Sequence, residues 1–200
     1  MTVIIDDNEG IINNIKEIYK NCSSAKVRNL IEKHFTPTNE EKKKYAEVAT
    51  PVFLVDEMLS KIPTDFWETP KKVFEPCCGK GNFVLGIFDK FYNGLEYITD
   101  EAERCRIIVE ECIYYADISP LNIFITTELL KCHIKSYVGE TSEIDNIDFK
   151  SHTGDTLTLD VNSYWNIEEG FDTVIGNPPY NAFGNTGTGN TIWQDFKKYH

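Results

Sequence analysis

From residue 9 to residue 34 apolar side chains return at helical spacing: Ile11, Ile12, Ile15, Ile18 and Tyr19, then Val27, Leu30 and Ile31. The spacing predicts two helices, with Asn8 placed to cap the first and Ser23 or Ser24 the second. Phe35-Thr36-Pro37 breaks the pattern, and Thr38 followed by Glu41 fits a capping box that opens a third helix to about Val48. Residues 1–48 therefore read as a small helical appendage without chemistry of their own. A further helix is predicted after Thr50-Pro51, with Thr50 as N-cap, Pro51 at the first helical position and Phe53, Leu54, Met58 and Leu59 as its apolar positions.

Beyond residue 71 the pattern changes to short apolar or β-branched runs separated by helical stretches. Strands are predicted at about 72–75, 113–117, 149–153 and 171–176. Between them lie helices over about Asn82–Phe91, over Thr99–Glu111 with Thr99 as cap, and over Leu121–Lys135, and then a polar, acidic loop over 136–149. Strands alternating with helices predict an α/β fold with a parallel sheet. Asn181–Asn190, with Gly184, Gly187 and Gly189, reads either as a mobile lid or as a plain linker. Thr191-Ile192-Trp193-Gln194 fits a capping box opening a last helix.

Composition narrows the class. The chain is 41% hydrophobic, enough for a core, and no run reaches the roughly 18 apolar residues of a membrane span. An N-terminus without a signal-peptide apolar region points to a cytoplasmic protein. The six cysteines, Cys22, Cys77, Cys78, Cys105, Cys112 and Cys132, form no C-x-x-C, and the four histidines form no ligand set, which argues against zinc and for reduced thiols. The net charge is −12, and residues 76–200 hold 9 Lys/Arg against 19 Asp/Glu. Such a surface has little means of neutralising phosphates. Lys42-Lys43-Lys44 and Lys71-Lys72 are the exceptions, and lysine runs of that kind are more often solvated helix faces.

Four stretches carry chemistry. Glu75-Pro76-Cys77-Cys78-Gly79-Lys80-Gly81-Asn82-Phe83 puts a G-x-G turn between a strand and a helix, where glycines admit a ligand close to the backbone and the helix start favours an anionic group. There is no third glycine of the dinucleotide fingerprint, which argues against a dehydrogenase. Asp117, at the end of the second strand, is placed either to accept bonds from ribose hydroxyls or to cap the helix that starts at Ser119 or Pro120. Gly154-Asp155 forms a turn after the third strand. Phe171-Asp172-Thr173-Val174-Ile175-Gly176 runs into Asn177-Pro178-Pro179-Tyr180, a turn stiffened by two prolines. Such a turn holds the Asn177 amide and the Pro178 carbonyl in fixed directions at a strand's C-terminal end. Two fixed acceptors can take both hydrogens of an exocyclic amine, draw its nitrogen towards tetrahedral geometry and free its lone pair for attack on a methyl sulfonium. Tyr180 offers a ring face for a base taken out of the duplex.

Asn177-Pro178-Pro179-Tyr180 resembles the catalytic motif of the S-adenosylmethionine-dependent, adenine-N6-specific DNA methyltransferases, and the resemblance extends over residues 40–200 in the gamma motif order, of restriction–modification type. It implies a Rossmann-like methyltransferase sheet over 49–200, incomplete here at about four strands, with the helical appendage before it. Asn177, Pro178 and Tyr180 would be catalytic. Thr50 and Glu75 would meet the methionine end of S-adenosylmethionine, Glu75 at its ammonium, with Gly79 and Gly81 lining it. Asp117 would hold the ribose, Ile118 would pack on the adenine and Asp155 would bond its amino group. No metal is implied. Ala49 stands where the family pattern carries an aromatic. The family's later strands and target-recognition region have no counterpart in these 200 residues. The chain is therefore expected to be a truncation or split product that contacts duplex DNA, target adenine flipped out, mostly through regions outside itself, with a second polypeptide completing its sheet. Methylation of a protein glutamine amide also uses Asn-Pro-Pro-Tyr and remains an alternative, opposed by Glu75-Pro76 and by the Thr-Pro helix. A cofactor-binding subunit without turnover of its own is another.

Overall fold

The computed structural model of the chain describes residues 4–20, 24–40, 42, 48–139 and 146–178. Strands β1 (Val73–Glu75), β2 (Ile113–Asp117), β3 (Ser151–Thr153) and β4 (Thr173–Val174) form one parallel sheet in the order β3-β2-β1-β4. The fold is α/β, with every predicted strand present and each end-strand shorter than expected. Val73 stands opposite Ile113 on one side and Thr173 on the other, and Tyr115 stands opposite Ser151. All residues of β1 and β2 are buried, as expected of central strands of a parallel sheet, which are covered on both faces and read as apolar runs.

The helices are α1 (Ile4–Lys20), α2 (Ser24–His34), α3 (Val52–Leu59), α4 (Asn82–Gly94), α5 (Glu101–Ile107), α6 (Pro120–Val138) and α7 (Val161–Trp165). One face of the sheet, with Val73, Ile113 and Tyr115, packs against α4 and α6 through Phe88, Phe91, Leu129 and Ile134. The other face buries Phe74, Tyr114 and Ala116 under Ile167, Trp165 and Phe171, with Phe74 and Phe171 stacked at 4.8 Å. The chain walks from β1 through β2 to β3 and then returns to the far side of β1 for β4. That reversal makes a topological switch point at the carboxyl ends of β1 and β4, the place where open α/β sheets bind ligands.

The helices of residues 1–48 are part of the main core. Ile15, Ile18, Val27 and Ile31 are buried in the same apolar cluster as Phe88 and Leu129. Polar ties reinforce this: Tyr19 bonds His133 Nδ1 at 3.0 Å, His133 Nε2 meets Asp89 at 2.7 Å, and Arg28 donates to Asp56 at 2.6 Å.

Several local expectations are corrected. α1 begins at Ile4, so Asn8 lies inside it rather than at its cap, and Ser24 is the first residue of α2. Of the third predicted helix, Lys42 N donates to the Thr38 carbonyl at 3.0 Å, while Glu41 and residues 43–47 lie outside the described residues. α3 starts one residue later than expected, with Pro51 at the cap, so the buried stripe becomes Val52, Val55 and Leu59 and Phe53 is 73% exposed. α5 is capped by Asp100, whose carboxylate accepts from Ala102 N and Glu103 N, rather than by Thr99; a π-turn over Ile108–Cys112 then leads into β2. The loop Asn181–Asn190 and the helix from Thr191 lie outside the described residues.

Candidate functional site

The loop from β1 to α4 is bent by two residues in the left-handed region, Gly79 at φ 51° and Gly81 at φ 87°. A Cβ at Gly81 would also sit 3.1 Å from the Thr126 hydroxyl of α6, so backbone conformation and packing both select glycine there. Cys78 N donates to the Ala116 carbonyl and Thr126 Oγ1 to the Gly79 carbonyl, which seats the loop across the end of β2.

Asp117 is the clasp of this arrangement. One carboxylate oxygen accepts from Gly79 N at 2.9 Å, and the other from Ser119 N at 2.8 Å and Asn122 Nδ2 at 3.2 Å. The cap of α6 itself is Ser119, which accepts from Asn122 N. Burial pushes the Asp117 carboxyl above its ordinary value, and the three donors and the Lys80 charge oppose that rise.

Thr50 takes a different part from the one its sequence position predicts. The cap of α3 is Pro51, which offers no side-chain cap bond. The Thr50 hydroxyl accepts from Asn177 Nδ2 at 3.1 Å, and its carbonyl accepts from Asn82 Nδ2 at 2.8 Å. The turn after β4 is thereby tied through Thr50 to the first residue of α4. The amide nitrogen of Asn177 is directed at Thr50, so its oxygen lies on the branch turned away from it.

These elements surround a cavity of about 410 Å³, within the range of small-molecule sites. Thr50, Gly79, Asp117, Ile118, Asp155, Asn177 and Pro178 all line it. Ile118 presents a half-exposed apolar face, 57% accessible, beside Asp117. Asp155 lines the wall, but its carboxylate also accepts from Leu157 N at 3.0 Å and so closes its own turn. Gly81 and Glu75 are absent from the lining. Tyr180 lies outside the described residues. Among the described residues the charged lining side chains are Glu32, Lys80, Asp117 and Asp155, three acids against one base, which favours a cationic ligand. Among the described residues no group of His, Cys, Asp and Glu could hold a metal ion, and no helix is long and apolar enough to cross a membrane.

Glu75, expected to face a ligand's ammonium group, sits behind the wall instead. It is 1% exposed; one carboxyl oxygen accepts from Cys77 N at 3.2 Å and the other has no partner among the described residues. Burial pushes its pKa up to about 8, and the nearby Asp117 adds to the rise. The Cys77 and Cys78 thiols are raised by burial and by these same carboxyls, which removes them as nucleophiles. A carboxyl with a raised folded-state pKa stabilises the fold fully below its unfolded value and progressively less as pH climbs through the folded one. Between about pH 5 and 8 the Glu75 proton should therefore give a falling stability of about 1.4 kcal/mol per pH unit, which Glu75→Gln should flatten. Urea unfolding at a series of pH values checks this; equal slopes in both chains would count against a protonated Glu75.

Other site residues escaped sequence reading. Asn82, Asn122 and Thr126 hold the loop through contacts that only the tertiary fold creates. Ile31, Glu32 and Phe35 of the N-terminal helical segment form part of the cavity wall. The Glu32 carboxylate accepts from Val52 N at 2.9 Å, and Arg28 Nη2 donates to the Asn82 carbonyl at 3.3 Å, so α2 braces both sides of the site.

No curated protein matches the chain. Among solved structures, a crystal structure described as a modification subunit of a type I restriction enzyme from Vibrio vulnificus YJ016 matches at 15% identity and a TM-score of 0.45, over 79% of this chain and 29% of that one. The present chain thus spans less than a third of that protein. Residues 111–200, the stretch holding β2, β3, β4 and the Asn-Pro-Pro-Tyr turn, match the family of Eco57I restriction-modification methylases.

Proposed function

We propose that the chain is the cofactor-binding and catalytic part of a restriction–modification DNA methyltransferase that transfers a methyl group from S-adenosylmethionine to the N6 amine of adenine. The family match over residues 111–200 supports the coarser class, a restriction-modification methylase. The finer reading rests on one observation: Asn177 and Pro178 line the same cavity as the glycine loop and Asp117, with the Asn177 amide oriented by Thr50. The cavity's size and its excess of carboxylates fit a nucleoside sulfonium. When bound, that cofactor supplies a methyl group on positively charged sulfur.

In this reading the chain's own residues divide the work. The Asn177 side-chain oxygen and the Pro178 carbonyl accept the two hydrogens of the target amine and hold its nitrogen pointing into the cavity. Tyr180 stacks on the flipped base. Thr50 sets the Asn177 rotamer. Gly79 lets the backbone approach the ligand, and Gly81 shapes the bend behind it. Asp117 accepts from the ribose hydroxyls while keeping the loop in register, Ile118 covers one adenine face, and Asp155 borders the adenine end. Glu75, close behind the loop, adds a titratable group rather than a direct contact.

The cofactor half is tested by calorimetry on the 200-residue chain. S-adenosylmethionine should bind, and Asp117→Ala should weaken it by roughly 1.5–3 kcal/mol, the scale of lost charge-assisted hydrogen bonds. A folded wild-type chain giving no heat would refute the assignment of the cavity.

A further inference from the structure

We infer that Glu32, on α2, takes the positively charged amino end of the cofactor, so that the N-terminal helical segment supplies a binding residue of the site. The inference rests on the proposed S-adenosylmethionine reading. The sheet order sets the direction in which such a ligand must lie. Asp117, Ile118 and Asp155 stand at the ends of β2 and β3, whereas Asn177 and Pro178 follow β4 on the far side of β1. With the adenosine at the β2–β3 end and the transferred methyl beside Asn177, the amino-acid arm leaves the sulfur away from β2 and β3. Among the described residues, the wall away from β2 and β3 includes Ile31 and Glu32 of α2, Phe35 just after it, and Val48, Ala49 and Thr50.

Charge on that wall is specific. Of the three acids that line the cavity among the described residues, Asp117 is held by Gly79, Ser119 and Asn122, and Asp155 closes its own turn on Leu157; both belong to the β2–β3 end. Among the described residues Glu32 is the lining acid outside that end. One of its oxygens is fixed by Val52 N at 2.9 Å, two residues beyond the Thr50 that orients Asn177. A half-buried carboxylate anchored through one oxygen is oriented before any ligand arrives, which spares the ordering cost of a free surface glutamate. Glu75, the acid that sequence position favours for this role, does not line the cavity.

The test compares three ligands on the wild-type chain and on Glu32→Gln, which keeps an acceptor for Val52 N. S-adenosylmethionine and S-adenosylhomocysteine both carry the amino-acid arm; 5′-methylthioadenosine lacks it. The substitution should weaken the first two by about 10- to 100-fold, the loss of a charge-assisted hydrogen bond, and leave methylthioadenosine within about twofold. Unchanged methylthioadenosine binding also reports that the variant is folded. Equal affinities of variant and wild type for S-adenosylmethionine would overturn the inference and leave the cofactor reading standing. So would equal losses for all three ligands, which mark a structural role. A wild-type chain that binds none of the three overturns the cofactor reading and the inference with it.

Discussion

Replacing Asn177 with Ala in the full-length protein is expected to lower methyl transfer to adenine by a factor of about 10²–10³ while leaving S-adenosylmethionine affinity within about twofold. The size follows from the task. The adenine amine is a weak nucleophile because its lone pair is delocalised into the ring, and two fixed acceptors must pull its hydrogens out of that plane. The Asn177 amide is oriented by a 3.1 Å bond to Thr50, and Thr50 is itself held by Asn82 at 2.8 Å, so the acceptor is preorganised by the fold and needs no reordering during reaction. Removing it leaves Pro178 alone. In the proposed reading the cofactor's contacts lie along Asp117 and the glycine loop and should persist. Single-turnover transfer of a labelled methyl group, paired with calorimetry, separates the two quantities. Wild-type transfer in the variant would mean that Asn177 does not touch the target; an equal collapse of cofactor affinity would make it a binding residue instead.

Gly176→Ala should have the largest effect on the fold around the site. A Cβ at this position would lie 2.2 Å from Glu75 Oε1 and 2.9 Å from Glu75 Cδ. That carboxyl cannot retreat easily, because it is 1% exposed and held by Cys77 N in the loop that leaves its own strand. The substitution should destabilise the chain by about 3 kcal/mol, the upper end of overpacking costs, and displace Asn177 from Thr50. Glu75→Ala in the same chain removes the obstructing carboxyl. The double variant should therefore lose less stability than the sum of the two singles, by about 1 kcal/mol or more. Urea unfolding of all four chains gives the cycle. Strict additivity would show that Gly176 is selected by something other than the Glu75 carboxyl.

The strands were legible because β-branched and aromatic runs such as the buried Ile113–Asp117 and the partly buried Phe171–Gly176 stand between polar segments, and the prolines after Asn177 announce a stiff turn. The order β3-β2-β1-β4 is not carried by the pattern of apolar positions. What sequence reading lost is tertiary in origin. Thr50 meets Asn177 across 127 residues, Glu32 meets Val52 across 20, and Arg28 meets Asp56 across 28. None of these pairs leaves a local signature, so residues 1–48 read as an appendage although α2 walls the cavity. Local competition explains the rest. Asp100 outcompetes Thr99 as a cap because its carboxylate reaches two backbone donors. Pro51 takes the cap position of α3, which rotates Phe53 outward and frees the Thr50 hydroxyl for Asn177. Glu75 was assigned by its place before the loop, and burial took it behind the wall.

The most direct measurement of the central claim is the identity of the methylated product. The full-length protein is incubated with methyl-labelled S-adenosylmethionine and duplex DNA, the DNA is digested to nucleosides, and the label is located by chromatography and mass spectrometry. Label in N6-methyldeoxyadenosine, lost in the Asn177→Ala variant, is the result the proposed function predicts. Label in methylated cytosine, or in a protein glutamine amide with none in DNA, would contradict it.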